Sequence, residues 1–290
     1  MSGTAQAPTA GEAWTPSERE LERRAVRRRD RTRRGLLATA VSVVAFGLVA
    51  WVLLTSPGWP RVQALFFSRY HAWESFPDVA RGFLLNVASF MVAEPVILLL
   101  GVLVAVTRWT VSPWLTPLRV IAIGYTDLFR GVPTLLVVFL LGLGVPALQL
   151  AGVTTNVFWL GTTALVLSYG AYVAEVVRAG IDSVHPSQLA SAEALALTRA
   201  QTMRHVILPQ ALRRQGPPLL NDFVSLQKDT ALLAVLGVFE ALFRAQDYGN
   251  YNFNFTPLVV AAVFFLALTI PLARLTDHLG RRTMRRERGR

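Results

Sequence analysis

The chain has 290 residues, 53% of them hydrophobic, with a formal net charge of +11 and no cysteine. A soluble domain is roughly 45–50% apolar, and here the excess is gathered into long runs, so the composition points to a membrane protein with several spans. The missing cysteines exclude a disulfide framework, a thiolate metal site and a cysteine nucleophile. Arginine supplies nearly all the positive charge, with Lys228 the only lysine, and it flanks the apolar runs. That is the pattern of membrane topology, not of nucleic-acid binding.

In chain order, residues 1–13 are small and polar and are expected to be disordered. SERELERRAVRRRDRTRR, Ser17–Arg34, permits a helix but lacks an apolar face, so it is expected to face solvent or lipid headgroups. Gly35–Thr55 is too long for the apolar segment of a signal peptide and reads as a retained first span. Further spans are expected at Ala80–Thr107, Leu118–Gly142, Val157–Val177, Pro217–Val238 and Thr256–Leu275. This makes about six segments able to cross a hydrocarbon core of about 30 Å. SPGWP, SPWLTP and YNFNFTP punctuate the gaps. Arginine concentrates on the segments that share a side with the N-terminus, which predicts that both termini are cytoplasmic.

Chemistry is sparse. A phosphate-binding Gly-Lys-Ser/Thr loop is impossible, because Lys228 lies between Gln227 and Asp229. His71, His185, His205 and His278 have no metal-ligand spacing, and there is no G-x-S-x-G elbow. No catalytic residue, resident cofactor or metal site is expected. Ionisable groups inside spans are costly and often functional. On that ground Glu94 (followed by Pro95), Arg130, Lys228 and Asp229 are candidates for a translocation path. Asp127 and Arg130 share a helix face and can pair, as can Glu175 and Arg178. As neighbours, Lys228 and Asp229 point in different directions, so each needs another partner.

Between the fourth and fifth spans lies VHPSQLASAEALALTRAQTMRHVILPQAL, Val184–Leu212. His185-Pro186 marks a helix start. The first helix, expected over Ser187–Leu197, carries small side chains at Ala190, Ser191, Ala192, Ala194 and Ala196 that let another surface approach closely. Thr198-Arg199-Ala200-Gln201 has the form of a capping box, so a second helix is expected from Arg199 to a stop near Pro209. Two short helices meeting at Thr198 make a knuckle on the cytoplasmic side.

This stretch resembles the "EAA" loop of the membrane subunits of bacterial ABC importers: Glu-Ala-Ala, three residues, Gly, nine residues, Ile-x-Leu-Pro. Here Ala190-Ser191-Ala192, Ala196 and Val206-Ile207-Leu208-Pro209 keep the spacing, with Ala190 in place of Glu, Ser191 of Ala, Ala196 of Gly and Val206 of Ile. Glu193, one turn on, can supply the displaced acid, while alanine at 196 resists a turn that glycine permits. Three further segments, YTDLFRGVP (Tyr125–Pro133), AYVAEVVRAG (Ala171–Gly180) and PPLLNDFVSLQKDTALLAVLG (Pro217–Gly237), resemble the polar amino acid permeases of this group, the histidine/glutamine permease-like family.

The resemblance implies an all-α, polytopic, type I importer (MetI-like) core of five helices, with one extra N-terminal helix. The organisation it implies is a basic arm (1–34), the extra helix (35–55), a permease domain (80–276) with its coupling loop (184–209), and a basic tail (277–290). It implies a bacterial inner-membrane subunit that forms the path for a polar amino acid. Partners would be two separate ATPases, which carry the ATP and Mg, a second membrane subunit, identical or paralogous, an extracytoplasmic amino-acid-binding protein, and membrane lipid; nucleic acid is not among them. Contact with the ATPase would fall on Ala190, Ser191, Ala192, Glu193, Ala196, Leu197, Thr198, Val206, Leu208 and Pro209. A self-contained secondary transporter or channel is the other reading open at this point.

Overall fold

A computed structural model describes residues 17–110 and 112–288; the expectation for residues 1–13 lies outside them. The described part is helical throughout, with no strand among the described residues. It divides into two compact units, Met1–Val62 and Gln63–Arg290.

In the first unit, helix α1 (Glu18–Leu54) joins the charged arm and the first apolar span into one unbroken element. The boundary expected near residue 34 is therefore a change of composition only. Arginine and glutamate are strong helix formers, so nothing in the arm stops the helix that the apolar run propagates. The stretch Thr32–Leu54 is long and apolar enough to cross a membrane, and none of it is buried within the chain. A short helix, α2 (Trp59–Phe66), leads into the second unit.

The second unit is built on two long helices, α3 (Arg69–Trp109) and α6 (Val157–Asp182). Helix α3 thus begins before the span expected at Ala80. Ser68 caps α3, accepting from the His71 N–H, while its own N–H donates to Thr256 Oγ1 at 3.1 Å. Helix α3 continues through Pro77 and Pro95. It meets α6 closely: a Cβ on Gly101 would lie 2.4 Å from a Val173 methyl. Small residues at such crossings let helix backbones approach in the absence of a hydrophobic drive between helices in lipid. Phe90, Ala93, Ile97, Leu165, Val173 and Leu226 lie in the buried core around this crossing.

The expected third span, Leu118–Gly142, is not one helix. Helix α4 (Thr116–Gly131) and helix α5 (Thr134–Ala147) meet at 105°. Pro133 forces the preceding Val132 into an extended conformation (φ −97°, ψ 129°) and ends α4 there. The expected fifth span is also composite: α10 (Gly216–Asp229) passes into a 3₁₀ segment, Thr230–Leu236. At about 1.5 and 2.0 Å per residue the two pieces reach about 21 and 14 Å, together enough for the hydrocarbon core. Among the described residues four helical stretches are long and apolar enough to span, five if the bent pair is one span. The last is α12 (Thr256–Arg288), which passes position 277 without a break.

Short helices close the ends. Between α6 and α10 lie α7 (Pro186–Ala194), α8 (Arg199–Thr202) and α9 (Leu208–Arg214), and α11 (Ala241–Asn252) precedes α12. Glu240, fully buried, caps α11 by accepting from the Leu242 and Phe243 N–H groups, and Asn86 of α3 donates to it at 2.8 Å.

Candidate functional site: the knuckle and the polar groups of the bundle

The knuckle is defined by its turn. Helix α7 starts at Pro186, with His185 as its cap, and ends at Ala194, three residues before the expected Leu197. The Ala196 N–H donates to the Glu193 carbonyl at 2.9 Å and the Leu197 N–H to the Ala192 carbonyl at 3.1 Å. These paired bonds form a Schellman motif, whose last residue but one takes the left-handed conformation. That residue is Ala196, at φ +54°. The family pattern has glycine at this position, so alanine makes the turn at a steric cost without abolishing it.

Thr198 opens the next helix. Gln201 N–H donates to Thr198 Oγ1 at 3.3 Å and Thr198 N–H to Gln201 Oε1 at 2.8 Å, the reciprocal capping box expected from T-x-x-Q. The expected stop at Pro209 does not occur. A π-helical turn over Met203–Ile207 lies between α8 and α9, and Pro209 sits in the first turn of α9. The wider turn relieves the clash of the proline ring with the preceding carbonyls. One of these, on Val206, is satisfied by Gln210 Nε2 at 2.9 Å.

The faces of the knuckle separate cleanly. Ala192, Thr202, Met203 and Ile207 are buried toward the bundle, with Leu197, Val206 and Leu208 half-buried. Ala190, Ser191, Glu193, Ala194 and Pro209 are exposed. The most prominent outward side chain was not anticipated: Leu195 is 74% exposed at the turn. Its signal was an apolar residue immediately before the left-handed position. Arg214 ties the knuckle back to the end of α6 by donating to the Ser183 carbonyl.

The charged candidates within the bundle fall into two groups. Arg130 stands 3.5 Å from Glu175, which also accepts from Arg108 at 2.9 Å and pairs with Arg178. Arg130 therefore pairs with α6 in preference to Asp127 on its own helix. This cluster joins the ends of α3, α4 and α6. Arg108 is about 21 Å along α3 from Glu94 at 1.5 Å per residue, so the cluster that holds Arg130 is well separated from Glu94.

The second group is acidic. Tyr169 of α6 donates to Asp229 at 2.7 Å, and Asp222 of α10 acts electrostatically on both Glu94 and Tyr169. Asp222 was missed from sequence, although it lies within the same motif. Its Oδ2 is buried without a hydrogen-bond partner among the described residues. Asp229 is half-buried and Lys228 exposed, so the two do point apart. Nearby, Gln227 accepts from Thr269 of α12 at 2.6 Å, and Asn86 donates to Thr230 at 3.2 Å.

This arrangement, several helices long and apolar enough to cross a membrane, polar groups within their bundle and a compact helical knuckle on one loop, fits the membrane component of a transport system. The chain belongs to the family described as binding-protein-dependent transport system inner membrane component, which matches residues 97–285. It is 34% identical over 211 residues to a Bacillus subtilis protein described as a probable glutamine ABC transporter permease, covering 72% of this chain and 95% of that one. An arginine transport system permease from the same organism is 30% identical, with 68% and 88% covered. A solved amino acid ABC transporter with histidines superposes with a TM-score of 0.63 at 28% identity over 71% of this chain and 94% of that one. The inward-facing MetNI methionine transporter shares the fold at a TM-score of 0.58, with 18% identity over 74% of this chain and 99% of that one. These likenesses support the importer reading over a self-contained secondary transporter.

Proposed function

We propose that this chain is the membrane subunit of an ATP-driven importer and forms the path for a polar amino acid. In this reading ATP and Mg act in two separate ATPase subunits, and a second membrane subunit, identical or paralogous, completes the pathway. An extracytoplasmic binding protein delivers the substrate, both termini are cytoplasmic, and the knuckle faces the ATPase. The observation that carries the reading is the knuckle's construction. Its inward face is packed on the bundle and its turn is pinned by the Schellman bonds and the capping box, while Ala190, Ser191, Ala194 and Leu195 stay exposed. Such an element transmits force as a rigid body and presents small side chains and one apolar knob to a partner.

The path, in the same reading, runs past Glu94, Asp222 and Asp229, with Lys228 near its edge. A buried carboxylate oxygen without a donor is costly, and the α-ammonium of a passing amino acid would supply one. Arg130, held in the Glu175 cluster, acts as a structural tie at the end of the path.

The chain has no cysteine, so a single Leu195→Cys substitution gives a unique attachment point. Cross-linking from it in native membranes is expected to capture a P-loop ATPase, identified by mass spectrometry. Intact complexes that yield no ATPase from position 195 would sink the coupling role. Uptake that continues when ATP is depleted and follows an ion gradient would sink the importer reading. A Glu94→Gln variant with unchanged transport rate and substrate preference would remove Glu94 from the path.

A further inference from the structure

On the inner side of the knuckle lies a cavity of about 510 Å³, enclosed by the ends of α3 and α6, by α4 and by α7–α8. It shares Glu193 with the exposed face of the knuckle and is separate from the acidic group of the bundle. Guanidinium groups reach it from separate elements: Arg108 from α3, Arg119 from α4, Arg178 from α6 and Arg199 from α8. Arg108 and Arg178 are engaged by Glu175, and Arg178 also by Asp182. Arg119 and Arg199 take part in no salt bridge among the described residues. Glu193 is the remaining acid of the lining. With Arg130 beside Glu175, the arginines outnumber the carboxylates, and the cavity carries a surplus of positive charge aimed inward from four directions.

One wall continues into an apolar surface. The 3₁₀ turn before α4 exposes Trp114, at 93%, and α4 exposes Leu118, Ile121 and Leu128. These fall on one side of a helix whose only buried residues are Ala122 and Thr126. An exposed apolar face beside a tryptophan is suited to contact with the headgroup and acyl layers of a bilayer. Trp109 lines the cavity at the same level.

We infer that this cavity holds the phosphate group of a membrane phospholipid, whose acyl chains lie along the exposed face of α4. Arg119 and Arg199 donate to the phosphate oxygens, as planar guanidiniums do bidentately. Glu193 faces the same space and accepts from an amine-bearing headgroup where the lipid has one. The bound lipid bridges α4 to the knuckle and braces its inner face.

The test uses the full chain in neutral detergent, probed by native mass spectrometry with phosphatidylglycerol or phosphatidylethanolamine added, and in a separate arm with inorganic phosphate or pyrophosphate. One phospholipid is expected to stay bound. Each guanidinium removed, in Arg119→Gln and Arg199→Gln, is expected to weaken retention about tenfold, with Arg119→Lys intermediate and Arg81→Gln, outside the cavity, without effect. In the unaltered protein, a photo-activated phospholipid is expected to label peptides of α4. Lipid retention in both glutamine variants equal to that of the unaltered protein, or labelling that avoids α4, would overturn the inference. So would phosphate or pyrophosphate displacing the lipid at equal concentration, because the cavity would then take a soluble anion. The readout is binding alone, so the result is independent of whether the ATPase docks on the opposite face.

Discussion

Ala196→Gly tests the account of the knuckle most directly. Ala196 sits at φ +54°, last but one in the turn closed by the Ala196–Glu193 and Leu197–Ala192 backbone bonds. An L-residue in the left-handed region costs about 1–2 kcal/mol through crowding of its Cβ against the following carbonyl. Glycine removes that cost but gives back about 0.4–1 kcal/mol through the greater freedom of the unfolded chain. The net expectation is a gain of about 1 kcal/mol, felt locally, which slows opening of the turn about fivefold. Hydrogen exchange of peptides covering Leu195–Gln201 is the appropriate assay, since the Ala196 and Leu197 amides are the protected donors. Ala196→Val provides the opposite arm: a β-branched side chain is a poor occupant of this region, so exchange is expected to accelerate. Exchange that is unchanged or faster in the glycine variant would refute the argument that the turn is strained.

Thr198→Ala removes one half of the capping box and is expected to cost the second helix about 1 kcal/mol, seen as faster exchange over Arg199–Met203 with little change in the melting temperature. Gly82→Ala would place a Cβ 2.6 Å from the Glu240 backbone; it is expected to destabilise by about 1–3 kcal/mol, read as a lowered thermal midpoint of the purified protein. Glu175→Gln leaves Arg108, Arg130 and Arg178 without their shared carboxylate, and at this half-buried site a loss of about 2 kcal/mol or more is expected. Arg130→Gln, at a more exposed position, is expected to cost less than 1 kcal/mol. Equal effects of these two substitutions in one thermal-shift experiment would contradict the shared-carboxylate arrangement.

Much of this architecture was open to inspection in the sequence, and where it was not the reasons are physical. Apolar runs report burial in lipid, so the first, second, fourth and sixth expected spans emerged as long helices, while the third is a bent pair and the fifth is composite; apolarity is silent about direction. The Val132-Pro133 dipeptide lies inside a run that scores as one span, and only its stereochemistry ends α4 there. Helix α10 shows the converse: Pro217–Val238 reads as one span, but the α-helix ends at Asp229 and a 3₁₀ segment continues it. Capping chemistry was the most faithful guide, because a cap is a local arrangement set by a few residues; Thr198 and Gln201 stand as expected. Pro209 misled for the same kind of reason, since the turn that tolerates it is a π-turn with no composition of its own.

The charged residues bear on how the parts communicate. Seen one at a time, Arg130, Glu175 and Arg178 belong to two separate motifs and invite separate explanations. In the fold they meet, with Glu175 receiving Arg108 of α3, Arg130 of α4 and Arg178 of α6. Residues beyond Arg178 in the chain lead through Asp182 directly into the knuckle, and Arg214 at its far end bonds back to Ser183. The knuckle is therefore anchored at both ends to the same helix terminus that gathers α3 and α4. In the proposed coupling a push on Leu195 is delivered through these anchors to α6, which carries Tyr169 and its bond to Asp229. The Tyr169–Asp229 bond and the Arg214–Ser183 bond tie the acidic group and the knuckle to the same helix, which is the arrangement the proposed coupling requires.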